Sequence, residues 1–343
     1  MEQAVKGRIL STTNNLSKVL CADGSVLICG IKGKRIKSLE GHYNALAAGD
    51  RVVVRPTEGG RGLVVELEPR RNSFGRYNEK GRADQAIAAN IDRVICVSSP
   101  SLPPFRPRFV DRLAVMSESA SVPFAIVLNK IDLGIAPETE SRLADYEALG
   151  YQVLRTSVRT GEGLESLASL IRKGSSVLAG QSGVGKSSLL NALFPGLEQR
   201  TQAVSEKYER GKHTTTLAEA VLANDETMVI DTPGIRRLAL RNIEPSSLSG
   251  LFPEFALYAQ DCPFGGNCSH VNEEGCGVRA AAEEGQIHAD RYESYLRIYE
   301  ELFAPPAWKK AGSRDPGRRQ RALLPGRKKL GKVRDPFDLD EEY

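Results

Sequence analysis

The first seventy residues alternate apolar and polar positions in short runs. Residues 6–11, 17–21, 25–30, 50–56 and 63–67 each fit a strand, and Asp23-Gly24 and Gly59-Gly60 mark turns. Five short strands in about seventy residues predict a small all-β barrel, with an OB-fold as first choice. The next stretch, from Arg70 to Asp84, is polar and without periodicity, and it reads as a linker over 71–84. From Ile91 the pattern switches to alternating strands and helices. Strands are predicted over 92–97, 123–128, 152–154 and 175–179, with helices over 107–119, 138–149 and 186–194. Paired strands follow over 218–222 and 227–230. Such alternation gives a mostly parallel sheet with flanking helices. Past about 245 the chain turns helical and rich in Cys and His. The domain reading is therefore barrel 1–70, linker 71–84, α/β domain 85–245, helical metal-binding domain 246–303 and tail 304–343.

Composition narrows this only a little. With 343 residues, 41% hydrophobic and 26% charged, the chain is of globular type with about two to three domains. No apolar run is long enough for a membrane span, and the first residues lack the apolar core of a signal peptide. A cytoplasmic protein is expected, with no lipid anchor or membrane partner. Nothing in the sequence calls for an obligate oligomer, so a monomer is expected. Net charge is +4, but residues 309–334 carry eleven Lys or Arg against one acid, Asp315. A run of this kind is an interaction tail for polyanions or merely a solvated tail. Lys32, Lys34, Arg35, Lys37, Arg51 and Arg61 give the barrel a basic surface as well.

The strand ends carry the chemistry. Gly180-Gln181-Ser182-Gly183-Val184-Gly185-Lys186-Ser187-Ser188 follows a strand and opens a helix, the context of a phosphate loop. Its glycines let backbone N–H groups curl around phosphates, and the helix N-terminus favours the anion. Lys186 is expected on the β- and γ-phosphates and Ser187 on Mg²⁺. That motif alone accepts adenine nucleotides equally well. Asn129-Lys130-Ile131-Asp132, at the end of the 123–128 strand, decides the base. The Asp132 carboxylate can accept from guanine N1–H and its exocyclic amine, donors that adenine does not pair. Lys130 is expected beside the base, and Asn129 as a tie to the phosphate loop. Thr156-Ser157-Val158 can supply a backbone N–H to guanine O6, from Ser157 or a neighbour. Asp231-Thr232-Pro233-Gly234 completes the set: Asp231 on Mg²⁺ through water, the Gly234 N–H on the γ-phosphate. In Arg210-Gly211-Lys212-His213-Thr214-Thr215-Thr216, Thr215 is the choice for a second Mg²⁺-side hydroxyl, with Thr214 as neighbour alternative. The order, base motif before phosphate loop, is that of a circularly permuted P-loop GTPase. Ile235 stands where many GTPases place a water-orienting glutamine, so unaided hydrolysis is expected to be slow. His213 can orient the water instead, or it contacts a partner. Gly183 gives no reason to expect a potassium requirement.

Six cysteines fall into two groups. Cys21, Cys29 and Cys96 sit in strand-like apolar runs and read as reduced core thiols. Cys262, Cys268, His270 and Cys276 offer three thiolates and an imidazole within fifteen residues, a full tetrahedral set for one structural Zn²⁺.

Barrel, base motif 129–132, phosphate loop 180–188, switch 211–216, Asp231–Gly234 motif and Cys/His set together resemble the bacterial RsgA (YjeQ) GTPases over nearly the whole chain. The resemblance implies an N-terminal OB-fold, a permuted GTPase domain binding GTP and GDP with Mg²⁺, and a C-terminal zinc domain. It further implies action on the small ribosomal subunit and its rRNA in late maturation, with hydrolysis stimulated by that subunit. Because the chain runs from Gly234 through Ile235-Arg236-Arg237-Leu238 toward the cysteines, γ-phosphate loss at switch II is expected to move the zinc domain. Two other readings stay open. One is a nucleotide-gated binder of a protein partner. The other, disfavoured by the absence of any lipidation motif, is a membrane-linked GTPase.

Overall fold

The computed structural model describes residues 3–13, 16–31, 43–78, 82–195, 218–224, 226–232, 239–240 and 243–303. Several expectations fall outside these residues: His213, Thr214, Thr215, Gly234, Ile235, the basic residues Lys32, Lys34, Arg35 and Lys37, and the 304–343 tail.

Strands β1 (Val5–Thr12), β2 (Ser17–Cys21), β3 (Val26–Ile31), β4 (Arg51–Thr57) and β5 (Arg61–Leu67) match the five predicted runs. They pair in the order β1-β2-β3-β5-β4, and β1 closes the barrel on β4 from Val5↔Val54 to Arg8↔Arg51. Only β3–β5 is parallel, the pairing that makes this an OB-type barrel. Alternation sends Ile9, Val19, Cys29, Val52, Val54 and Val64 into one core. Burial pushes the Cys29 thiol up to about 12, so this sulfur stays protonated in the barrel. At the exit the buried Asp50 accepts from Arg70 Nε and Nη2, both at 2.7 Å, and from the Ala47 N–H at 2.8 Å.

The span expected as a linker holds strand structure. β6 (Ser73–Asn78) and β7 (Ala83–Ala89) form an antiparallel hairpin with Phe74, Ala86, Ala88 and Ala89 buried. Alanine has little intrinsic strand preference, so tertiary packing decides here and no period-2 signal announces it.

The larger sheet runs β10 (Gln152–Thr156), β9 (Phe124–Asn129), β8 (Arg93–Ser98), β11 (Gly174–Ala179), β13 (Thr227–Asp231), β12 (Glu219–Asn224). The first five are parallel and β12 is antiparallel to β13. β1 meets β12 at Ser11↔Glu219, so barrel and sheet are hydrogen-bonded into one. Helices α1 (Pro107–Ser119), α2 (Pro137–Ala148), α3 (Leu164–Ile171) and α4 (Lys186–Leu193) supply the connections. Ile95, Val127, Leu178, Val229, Leu167 and Leu189 pack between strands and helices.

The chain forms two compact units, Met1–Pro103 with Met116–Asn242, and Pro104–Val115 with Ile243–Tyr343. Most of α1, expected inside the 85–245 span, thus clusters with the Cys/His-rich segment. The second unit adds α5 (Phe255–Tyr258), α6 (Gly277–Glu283) and α7 (Ala289–Phe303). The reason is a buried polar network. Arg291 on α7 donates to Asp111 on α1 at 2.9 Å and to Glu254 at 2.7 Å, and Ser294 donates to Asp111 at 2.6 Å. Removing Arg291 takes the shared cation from two buried carboxylates, which costs about 3–5 kcal/mol. Among the described residues, no helix is long and apolar enough to cross a membrane.

Candidate functional site

The phosphate-loop segment sits where β11 ends and α4 begins. Gly185 adopts φ 95° at the N-cap of α4, and a Cβ there would stand 2.4 Å from Asn129 Nδ2. A Cβ on Gly180 would stand 2.2 Å from the Val97 carbonyl oxygen. Both positions need glycine, one for its backbone and closeness, the other for closeness alone. A cavity of about 430 Å³ opens here, lined by Lys130, Ser182, Gly183, Gly185, Lys186, Ser187, Ser188 and Asp231.

Asn129, at the end of β9, donates from Nδ2 to the Val184 carbonyl at 2.9 Å and accepts from Thr156 Oγ1 at 3.2 Å. One buried side chain thereby fastens the base-motif strand to the phosphate loop and to β10. Lys130, in the left-handed conformation with φ 67°, donates from Nζ to Gly183 O at 2.6 Å and Leu102 O at 2.9 Å. Asp132 accepts from Ser157 Oγ at 2.6 Å and from Arg159 Nε at 2.7 Å. Those two donors hold its carboxyl below the usual range. The Ser157 amide, the first expectation for a guanine O6 donor, instead donates to Glu162 O at 3.0 Å. Turn closure over 157–162 claims that N–H, and the hydroxyl, not the amide, is what Ser157 turns toward the base motif.

Lys186 Nζ lies against the loop itself, donating to Gly180 O at 2.8 Å and Gln181 O at 3.1 Å. Burial lowers its pKa, and the Asp231 charge works in the opposite sense. For Asp231, burial raises the pKa and Lys186 opposes it. Asp231 Oδ1 is buried with no hydrogen-bond partner among the described residues. A solvent-shielded oxygen of this kind is costly unless a cation or its water shell satisfies it. Asp231 and Ser187 line the same cavity, so the two expected Mg²⁺-side groups share one space. Thr232 is buried and its hydroxyl donates to Leu178 O at 2.8 Å, pinning the start of the third motif to β11.

In the second unit Cys262, Cys268, His270 and Cys276 are all buried, with ligand atoms within 4.8 Å of one another. Cys262 Sγ lies 3.7 Å from Cys276 Sγ and 3.5 Å from His270 Nδ1, which is 3.4 Å from Cys276 Sγ. Sulfur and nitrogen ligands at about 2.0–2.3 Å from one tetrahedral zinc stand roughly 3.3–3.8 Å apart, so the spacings of Cys262, His270 and Cys276 fit that ion, with Cys268 as the fourth donor nearby. Burial pushes the Cys268 thiol up to about 12 without a cation, so a bound metal is what makes a thiolate tenable there. The ligand loop is held by its neighbours. Tyr292 donates to His270 O at 2.7 Å and Tyr295 to Ser269 O at 2.6 Å. Glu273 accepts from the amides of Ser269, Val271 and Asn272 at 2.7, 3.0 and 3.1 Å. These supporting residues carry no motif signal; only the ligands themselves are legible by spacing.

Comparison with known proteins agrees with this geometry. A family model described as RsgA GTPase matches residues 67–241. The chain is 37% identical over 307 residues to the small ribosomal subunit biogenesis GTPase RsgA of Gemmatimonas aurantiaca, covering 88% of this chain and 99% of that protein. It is 39% identical over 311 residues to the protein of the same name from Chlorobaculum parvum, again covering 88% and 99%. The crystal structure of YjeQ from Thermotoga maritima superposes with a TM-score of 0.67 at 32% identity, over 88% of this chain and 100% of that one. YloQ, described as a circularly permuted GTPase, gives 0.60 at 27% identity, over 91% and 98%.

Proposed function

This chain belongs to the RsgA GTPase family and is a GTPase, and we propose that it acts in small ribosomal subunit biogenesis, hydrolysing GTP with stimulation by that subunit. The observation that carries this is near-complete coverage: relatives named for that role match from end to end, and the permuted motif order lies inside the match.

The geometry above supports the roles of the described residues, and the sequence motifs supply those of Thr215, Gly234 and His213. Asp132 reads guanine N1–H and its amine, for which Ser157 and Arg159 must release the oxygens they now occupy. With the Ser157 amide engaged, the O6 donor falls to the amides just after it. Asn129 keeps base loop and phosphate loop in register. Gln181 through Ser188 cradle the phosphates with backbone N–H groups, and Lys186 turns from its loop carbonyls to the β- and γ-oxygens. A bound Mg²⁺ would neutralise charge between the β- and γ-phosphates. Ser187, Asp231 and Thr215 are the residues to hold it. The Gly234 amide senses the γ-phosphate. Ile235 cannot orient water, so either His213 or a group from the subunit completes the site. The Cys262–Cys268–His270–Cys276 set holds one structural Zn²⁺, and switch II hands the nucleotide state to that domain. Barrel and tail supply basic contacts to rRNA in a cytoplasmic monomer.

The test is steady-state GTP turnover of the full-length protein with small subunits, large subunits or none. Stimulation specific to small subunits supports the proposal. Equal rates in all three sink it, and would favour a nucleotide-gated binder of some other partner.

A further inference from the structure

Strands β1 and β4 close the barrel with two arginines directly opposite each other, Arg8↔Arg51. Opposed residues of an antiparallel pair share a face, and like charges there are destabilising. Glu68 stands across β4–β5 from Arg51, its N–H donating to Arg51 O at 2.9 Å, but its carboxylate is held by Lys6 at 3.0 Å. Arg51 is exposed, and its side chain has no ion-pair partner among the described residues. Arg8 reaches to Ser175 Oγ at 2.5 Å, while its Nε is buried without a partner among the described residues. Burial, then Arg51, lowers the Arg8 pKa. Two more arginines join from the GTPase side. Arg71, at the barrel exit, is 60% exposed at the side chain and donates to Asp92 at 2.6 Å. Arg93 opens β8 and donates to Lys173 O and Ser176 Oγ. Two acids stand beside the four arginines: Glu68, already held by Lys6, and Asp92, one of whose oxygens already accepts from the Ser175 amide at 2.7 Å.

We propose that Arg8, Arg51, Arg71 and Arg93 form a phosphate-binding face that takes the backbone of RNA across the junction of barrel and GTPase sheet. The inference rests on the proposed action at the small subunit and names where rRNA is held. Three features favour RNA. The cations are all arginines, whose planar forks suit phosphate oxygens. Repulsion built into a closing strand pair is relieved by an external polyanion. No exposed large hydrophobic side chain among the described residues comes from β1, β4, the 70–72 turn or β8. A protein partner would need an apolar centre, whereas a phosphate backbone needs none. The face is separate from the nucleotide site. Its residues lie at the start of β8 and beside the start of β11, whereas the nucleotide motifs follow the other ends of β9, β11 and β13.

The experiment uses full-length wild type, Arg51→Glu and Arg51→Ser. Binding to purified small subunits and to protein-free small-subunit rRNA is measured across a salt series. Loss of one phosphate contact should reduce the slope of log affinity against log salt by about one. Both variants should bind rRNA more weakly and keep basal GTP turnover, and Arg51→Ser should melt no lower than wild type because the Arg8–Arg51 repulsion is gone. Weaker binding together with unchanged or raised stability is the result a misfolded variant cannot give. An unchanged slope and affinity for rRNA in both variants overturns the proposal. Weaker binding to subunits with unchanged binding to free rRNA also overturns it, pointing to a ribosomal protein. If wild type fails to bind subunits, the function proposal falls by itself, and the face is still judged on free rRNA.

Discussion

The Cys/His centre and the phosphate-loop centre are built in opposite ways. The first is closed: four buried donors lie within 4.8 Å of one another, and tyrosines and Glu273 brace their loop. The second is open. Lys186 rests on its own loop carbonyls, and Asp231 keeps a buried oxygen without a partner among the described residues. A closed set contributes to folding and offers no position for a substrate. An open set carries desolvated charges at a cost that its ligand later offsets, so its members matter to function more than to stability. Mutations should therefore separate the two centres cleanly.

The largest effect is expected at the closed centre. Cys276→Ser, or removal of metal by a chelator, should unfold the 243–303 segment, since zinc-finger sites contribute on the order of 10 kcal/mol. Calorimetry should show loss of one transition while guanine-nucleotide binding by the remainder persists. The next largest lies at the open centre. Lys186→Ala should lower turnover by about 10²–10³-fold, the scale for losing one charge-stabilising donor. Its melting midpoint without nucleotide should not fall, because the desolvated ammonium is removed along with its bonds. A fall of several degrees would mean that Lys186 is structural and the contrast is wrong. Asp132→Asn should shift preference from guanine to xanthine nucleotides by at least about 100-fold, because one acceptor becomes a donor. Competition binding with both nucleotides reads this directly.

How much of this contrast the sequence announces depends on the residue. The five barrel strands, the sheet strands and both ligand sets are legible because period-2 runs, a Gly-rich loop at a strand end and close Cys/His spacing each have a local cause. The β6–β7 hairpin is not, since its Ala83–Ala89 strand has no alternation and a single β-branched side chain, Ile87, and is held by packing. Likewise Asp111 looks like an ordinary helix-face acid until Arg291, far along the chain, buries against it. Ser157 is legible from its place just after the 152–154 strand, but which of its groups is engaged depends on the 157–162 turn. Positions 211–216 and 233–238 carry readable motifs whose structure lies outside the described residues.

The smallest predicted effect concerns acid stability. Burial alone would raise the Glu273 carboxyl, but hydrogen bonds from Ser269 and Val271 bring it down to about 2. A carboxyl depressed in the folded state contributes stability that is present above its ordinary pKa and lost as pH falls through about 2. Glu273→Gln should flatten that part of the acid limb and cost about 1–2 kcal/mol near neutrality, a modest figure because the carboxylate is partly exposed. Urea titrations at several pH values between the two limits check both the sign and the window.

The most direct test of the contrast is GTP turnover before and after a chelator strips metal from the Cys/His centre of the full-length protein, with and without small subunits. The account predicts that basal turnover survives metal loss, because the nucleotide motifs and the Cys/His set lie in different compact units, whereas stimulation by small subunits collapses. Loss of basal turnover together with the metal would contradict it, placing the metal centre in the chemistry itself.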